Sequence, residues 1–235
     1  MLSCPTLTVP RRGRERLPLE LRGLIGRVVQ RPAVDAPPRW TLDEVAGRLV
    51  ELSGGGASAG LTFAICQVAA AQGRGENVAW IAASPDPFFP PDASACGVDL
   101  AALPVVRVPD PRTAARAALH LMRSGAFALV VIDLGEGGVF PTAAQAQLAR
   151  LVERSGAALL FLTRKGSGDP SLGPLISLRL HTRRGTPDGD LYPCRLTALK
   201  DRRRSPGWQA MEPFLGPPGL RGSPVVTAPR RGRIG

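Results

Sequence analysis

Aromatic residues are scarce in this 235-residue chain, at 5% against 44% apolar residues overall. Its core must therefore be built from aliphatic and small side chains. Histidine is scarcer still: His120 and His181 are the only two, far apart in the sequence. The four cysteines, Cys4, Cys66, Cys96 and Cys194, form no C-x-x-C pair. That spacing argues against a zinc knuckle and a dithiol redox motif, and no metal site is expected. Cys66 falls in an apolar helical pattern and reads as a buried thiol. His120, within "TAARAALHLMR", reads as a helix-surface or packed residue. No apolar run reaches the ~18 residues of a membrane span. In the opening "MLSCPTLTVPRRGRER" the arginines follow a short apolar run, the reverse of a secretory signal. A cytoplasmic location with no membrane partner is the expectation. Lysine is nearly absent too, with Lys165 and Lys200 the only two.

Arginine is what the chain has instead, and it sits at the ends. The net charge is +11. Residues 1–40 hold eight arginines and three acids; residues 41–200 hold fifteen bases and fourteen acids; residues 201–235 hold seven arginines and two acids. A near-neutral middle is flanked by basic ends, which attract phosphate backbones or acidic surfaces.

The hydrophobic pattern divides the chain the same way. In 17–32, Leu21, Leu24, Ile25 and Val28 recur at helical spacing until Pro32. They predict a short helix in a basic N-terminal arm, 1–39, whose apolar face packs on the core or on a neighbouring subunit. Residues 40–200 alternate helix and strand patterns. "TLDEVAGRLVEL" predicts a short helix capped by Thr41 and a strand at 49–52. "LTFAICQVAAAQ" predicts a helix, "VAWIAAS" a buried strand, and "PDPFFPPDAS" a loop. A short strand at 105–108, a helix at 113–125, a strand at 127–133, a helix at 142–156 and a strand at 157–165 follow. "ISLRLHTRR" and "CRLTALKDRR" predict an antiparallel hairpin. Near-continuous apolar strands between helices mean a parallel sheet covered on both faces, with ligands at the carboxyl ends of its strands. Residues 201–235, rich in Gly and Pro without period, predict a mostly disordered basic tail.

Two motifs bear on chemistry. "SGGGASAGLT" places Gly55, Gly60, Leu61 and Thr62 at the spacing G-x-x-x-x-G-K-[ST]. In a working phosphate loop the glycines let N–H groups turn inward, the lysine neutralises phosphate oxygens and the Ser/Thr holds Mg²⁺. Here the lysine is Leu61, so the loop is degenerate; no cofactor is expected, and ATP only as the weaker alternative. "LVVID" ends an apolar strand on Asp133, the position of a Mg²⁺-holding acid, here read as vestigial. A third cluster, Lys200, Arg202, Arg203, Arg204 and Trp208, packs cations beside an aromatic ring and is a candidate DNA- or partner-binding segment.

In their order, these segments resemble RecA-like proteins over roughly residues 17–205. The fold this implies is α/β, a RecA-like parallel-core β-sheet with helices on both faces plus a C-terminal antiparallel hairpin. The departures are Leu61 at the lysine position, Ser84 where the family places the glutamate that activates water, and a short loop, "GSGDPSLGP", where the family carries a DNA-binding loop. A short RecA-like core lacking both groups is similar to the ImuA family. That resemblance implies a non-catalytic accessory protein of DNA-damage-induced (SOS) translesion synthesis and mutagenesis. Its implied partners are ImuB and, directly or through ImuB, an error-prone DNA polymerase subunit; RecA and single-stranded DNA are further candidates. Two alternatives stay open at this stage: a nucleotide-dependent RecA-type ATPase, and a SulA-like cell-division inhibitor.

Overall fold

The computed structural model describes residues 40–83, 88, 90–136, 139–188 and 190–215. The N-terminal arm with Leu21, Leu24, Ile25 and Val28, and Ser84, lie outside the described residues. The chain is α/β. Its elements run α1 (Leu42–Val45), β1 (Leu49–Ser53), α2 (Gly60–Gly73), β2 (Val78–Ala82), α3 (Pro90–Ala95), β3 (Val105–Arg107), α4 (Pro111–Arg123), β4 (Leu129–Asp133), α5 (Thr142–Ser155), β5 (Ala158–Thr163), β6 (Leu178–Arg184), β7 (Leu191–Asp201) and β8 (Gln209–Leu215). One eight-stranded sheet takes the order β3-β2-β4-β5-β1-β6-β7-β8. The first six strands of that order are parallel; β7 and β8 close the sheet antiparallel.

Strand alternation sorts the apolar residues into two cores. Val50, Leu52, Trp80, Val131 and Leu160 meet Phe63, Val68 and Ala71 of α2 on one face. Leu49, Ile81, Ile132, Leu159 and Phe161 meet α4 and α5 on the other, through Ala118, Met122, Leu148 and Val152. Both faces of β2, β4, β5 and β1 are covered, which explains why β2, β4 and β5 read as near-continuous apolar runs rather than alternating ones, while β1 carries the buried Glu51. Helix ends follow local chemistry. Asp110 accepts the Thr113 N–H at 2.8 Å ahead of Pro111, an N-cap with proline in the first turn. Gly156, at φ 72°, closes α5 by donating its N–H to the Val152 carbonyl.

Three expectations change. "PDPFFPPDAS" contains α3, starting on Pro90, where a proline suits the first helical turn. Cys66 is half-buried, not buried. The boundary drawn after residue 200 falls inside the sheet: β7 runs to Asp201, and 209–215 form β8 in register with it. The alternating Trp208, Ala210 and Phe214 pack on the α2-side core, and the Phe214 ring stands edge-on to Phe63, 5.4 Å between centroids. Surrounding Gly and Pro mask this period-two pattern in the sequence. Residues 216–235 of the expected tail lie outside the described residues.

Candidate functional site

The Gly turn leaves the carboxyl end of β1 and opens α2. Its conformation is closed from within. Ser53 O accepts the Thr182 hydroxyl at 3.2 Å, and the Ser58 and Thr182 hydroxyls pair at 2.9 Å. Ser58 Oγ also accepts the Gly60 N–H at 3.1 Å, and the Ser58 N–H reaches the Gly56 carbonyl at 2.9 Å. Donors that a phosphate loop turns toward a ligand are in part satisfied by the turn's own hydroxyl and carbonyl. Gly56, at φ 56°, supplies the left-handed step. Gly54 is needed for space: a Cβ there would press on Ser58 Oγ and lie 2.7 Å from the Thr182 carbonyl, whereas one at Gly55 meets nothing within 4 Å. Gly54→Ala is expected to cost about 1–3 kcal/mol, the range for overpacking, and Gly55→Ala to change stability by under about 1 kcal/mol. Urea melts of the two variants check the contrast.

The neighbouring residues complete the edge. Leu61, 42% exposed, stands where a phosphate loop has its cation, and Thr62 beside it is half-buried. Asp133 ends β4, one strand (β5) away from β1 in the sheet, so the turn and the acid share the carboxyl edge. Burial pushes the Asp133 carboxyl up, offset in part by the Gly135 N–H it accepts at 3.1 Å. Neither lysine stands in for the cation within the chain. Lys165 donates to the Pro170 carbonyl at 3.4 Å and lies 3.9 Å from Glu51, and Lys200 donates to the Pro174 carbonyl at 3.1 Å. Among the described residues no cluster of His, Cys, Asp and Glu could hold a metal ion.

The third cluster lies at the opposite, amino edge, and its side chains are occupied. Arg48, buried just ahead of β1, donates to Glu44, to the Ser177 carbonyl and to the Asp201 carboxylate. Asp201 Oδ2 accepts the Trp208 indole N–H at 2.9 Å. Arg203 donates to the Ala46 carbonyl at 2.6 Å, Arg204 to Glu44 at 2.6 Å, and Arg202 to the Pro174 carbonyl at 2.6 Å. These groups stitch the β7–β8 turn onto α1 and the loop before β6. Of the three arginines only Arg202 is exposed; Arg203 and Arg204 are half-buried. Grouping by sequence proximity suggested a clamp for an outside ligand. In the fold these cations also act as internal donors: Arg203 and Arg204 to the Ala46 carbonyl and the Glu44 carboxylate at α1, Lys200 and Arg202 to the Pro174 carbonyl before β6.

Sequence reasoning missed a second buried network on the α5 face. Glu51 is fully buried, yet it accepts the hydroxyls of Thr163 and Ser171 and the Leu172 N–H at 3.0, 2.9 and 2.8 Å. Arg179, its neighbour in register on β6, lies 3.7 Å away and donates to the carbonyls of Gly166 and Asp169. The short loop after β5 is therefore pinned from beneath by a buried ion pair. A glutamate inside the apolar strand "LVELS" was the available signal, since a buried charge requires partners.

What the fold and edge define is a mixed α/β sheet protein with a self-closed Gly turn and a strand-ending acid on one edge. No model of a known protein family matches the chain, and a search of curated proteins finds no match.

Proposed function

We propose that this chain is a non-catalytic, RecA-like accessory protein of DNA-damage-induced translesion synthesis. In this reading its core docks ImuB and, with it, an error-prone polymerase subunit, and no nucleotide is turned over. RecA and single-stranded DNA are its further candidate partners, and its place of action is the cytoplasm. The observation that supports this most is the Gly turn: an exposed leucine replaces the cation, and Ser58 Oγ takes up the Gly60 N–H. Such a turn keeps the glycine spacing of a phosphate loop without the cation that grips a triphosphate. The order of turn, helix, strand and acid along the sheet edge is the resemblance noted in the sequence.

Calorimetry with ATP and Mg²⁺ tests the nucleotide side. The wild type is expected to give no binding heat, and Leu61→Lys combined with Ser58→Gly to gain binding. ATP hydrolysis by the wild type, stimulated by single-stranded DNA, would replace this reading with the ATPase one. Co-purification with ImuB and the polymerase from damaged cells tests the assembly. Recovery of the division GTPase in their place would favour the SulA-like reading.

A further inference from the structure

β6, β7 and β8 carry a cationic surface that the α5-side core does not reach. The two faces of these strands differ in kind. Cys194, Leu196, Ala198, Trp208, Ala210 and Phe214 point into the α2-side core. Their alternates point the other way and line up in cross-strand rows. Arg183 of β6 stands opposite Arg195 of β7, which stands opposite Met211 of β8; His181, Thr197 and Gln209 form the next row. Arg183 and Arg195 are both exposed, and Met211 is 57% exposed. Among the described residues neither arginine has an acidic partner, while Asp188 and Asp190 lie out at the hairpin tip. Like charges placed directly across an antiparallel pair destabilise it. Beside them His181 is held below its ordinary value by burial and by the charges of Arg179 and Arg183. Among the described residues the face thus concentrates positive charge with no acidic side chain paired to it.

We propose that this face binds an acidic, apolar-containing segment of a partner protein, with carboxylates on Arg183 and Arg195 and an apolar side chain against Met211. Arginine and methionine are both enriched at protein interfaces. A single-stranded nucleic acid fits the face less well. Base stacking needs exposed rings, and Trp208 and Phe214 are turned to the opposite side, as is Tyr192, under the Arg184 guanidinium. The chain's own ends have the wrong charge: residues 216–235 hold four arginines and no acid, and residues 1–40 eight arginines and three acids. A second copy, at +11, is repelled in the same way. This surface stands independently of the translesion reading, because it rests on strand register and charge alone.

The experiment uses the full chain, a labelled peptide alternating Glu and Leu, and labelled oligothymidylate, read by fluorescence anisotropy. Arg183→Gln with Arg195→Gln is compared with Arg112→Gln with Arg116→Gln, exposed positions on α4 whose loss changes net charge equally. The face variant should bind the peptide about tenfold or more weakly, and the α4 variant within about twofold of wild type. The thermal midpoint of the face variant should hold or rise, since a repulsive pair is removed. Met211→Glu leaves both arginines in place and should weaken the peptide as well, which preserves the test if the double variant folds poorly. Equal losses in the two double variants would reduce the binding to general charge attraction and overturn the proposal. So would peptide binding that neither Arg183→Gln/Arg195→Gln nor Met211→Glu alters. Arginine-dependent capture of oligothymidylate without capture of the peptide would reassign the face to nucleic acid.

Discussion

Asp201→Ala is expected to cost the fold about 3–5 kcal/mol, the range for removing one partner of a buried ion pair. The Asp201 and Arg48 side chains are 0% and 1% exposed. Without the carboxylate, Arg48 keeps Glu44 and Ser177 as acceptors but loses its main counter-charge; the Trp208 indole and the Arg203 N–H lose theirs as well. Since among the described strands β8 pairs with β7 alone, the turn carrying Arg202 to Trp208 should loosen first. Hydrogen exchange would register this as early opening of 202–215, alongside a fall in Tm of roughly 6–20 °C. The double change Asp201→Leu with Arg48→Met should recover much of the loss, because matched apolar side chains leave no stranded charge. A single variant as stable as wild type would show that the amino-edge network contributes little.

The same carboxylate gives a pH dependence of definite sign. Burial raises its pKa, but hydrogen bonds from Arg203, Trp208 and Arg48, together with the Arg48 charge, outweigh burial and hold it below 3.8. A depressed folded-state pKa contributes stability that is fully present above the unfolded value and is lost as pH falls through the folded value. Wild-type stability should therefore decline below about pH 5, and Asp201→Ala should remove part of that acid slope. Urea midpoints between neutral pH and pH 3 compare the two proteins.

Glu51→Ala is the second large effect, again about 3–5 kcal/mol. It leaves Arg179 without its buried counter-charge and removes the acceptor of Thr163, Ser171 and Leu172 at one stroke. The expected outcome differs in place from the first. The loop from Arg164 to Leu175 should lose exchange protection, since Glu51 and Arg179 hold its Gly166, Asp169 and Leu172 backbone groups. Glu51→Gln should be milder, because an amide retains an acceptor oxygen but brings an N–H₂ toward donors. Unchanged protection of this loop in Glu51→Ala would assign its order to the loop's own turns.

Helix and strand identity were legible wherever period and length agreed. Residues 129–132 within "FALVVID" and 158–162 within "AALLFLTRK" are buried on both faces, and their apolar runs say so. The Gly turn and Asp133 were legible as motifs. Their common edge follows from the parallel arrangement that strand–helix alternation implies. Less legible was the segment from Asp201 to Leu215. Its composition is that of a tail, and its three inward residues, Trp208, Ala210 and Phe214, are spaced by exposed Gln209, Met211 and Pro213. Glu51 and Arg179 were equally hidden: their pairing comes from register between strands far apart in the chain.

By itself the sequence determined the element types other than α3 and β8, the α/β class, the absence of a lysine at the Gly turn and the charge distribution, because these depend on local period and on residue identity. Which cations face solvent and which hold the chain together was decided only by the tertiary structure. Arg202 donates to the Pro174 carbonyl before β6, whereas Arg203 and Arg204 reach the Ala46 carbonyl and the Glu44 carboxylate at α1; Arg183 and Arg195 stand side by side across the β6–β7 hairpin. A charge acquires its role from the neighbours the sheet register gives it, and that register is fixed by burying Leu180, Leu196, Ala210 and Phe214 together on the α2 side of the sheet.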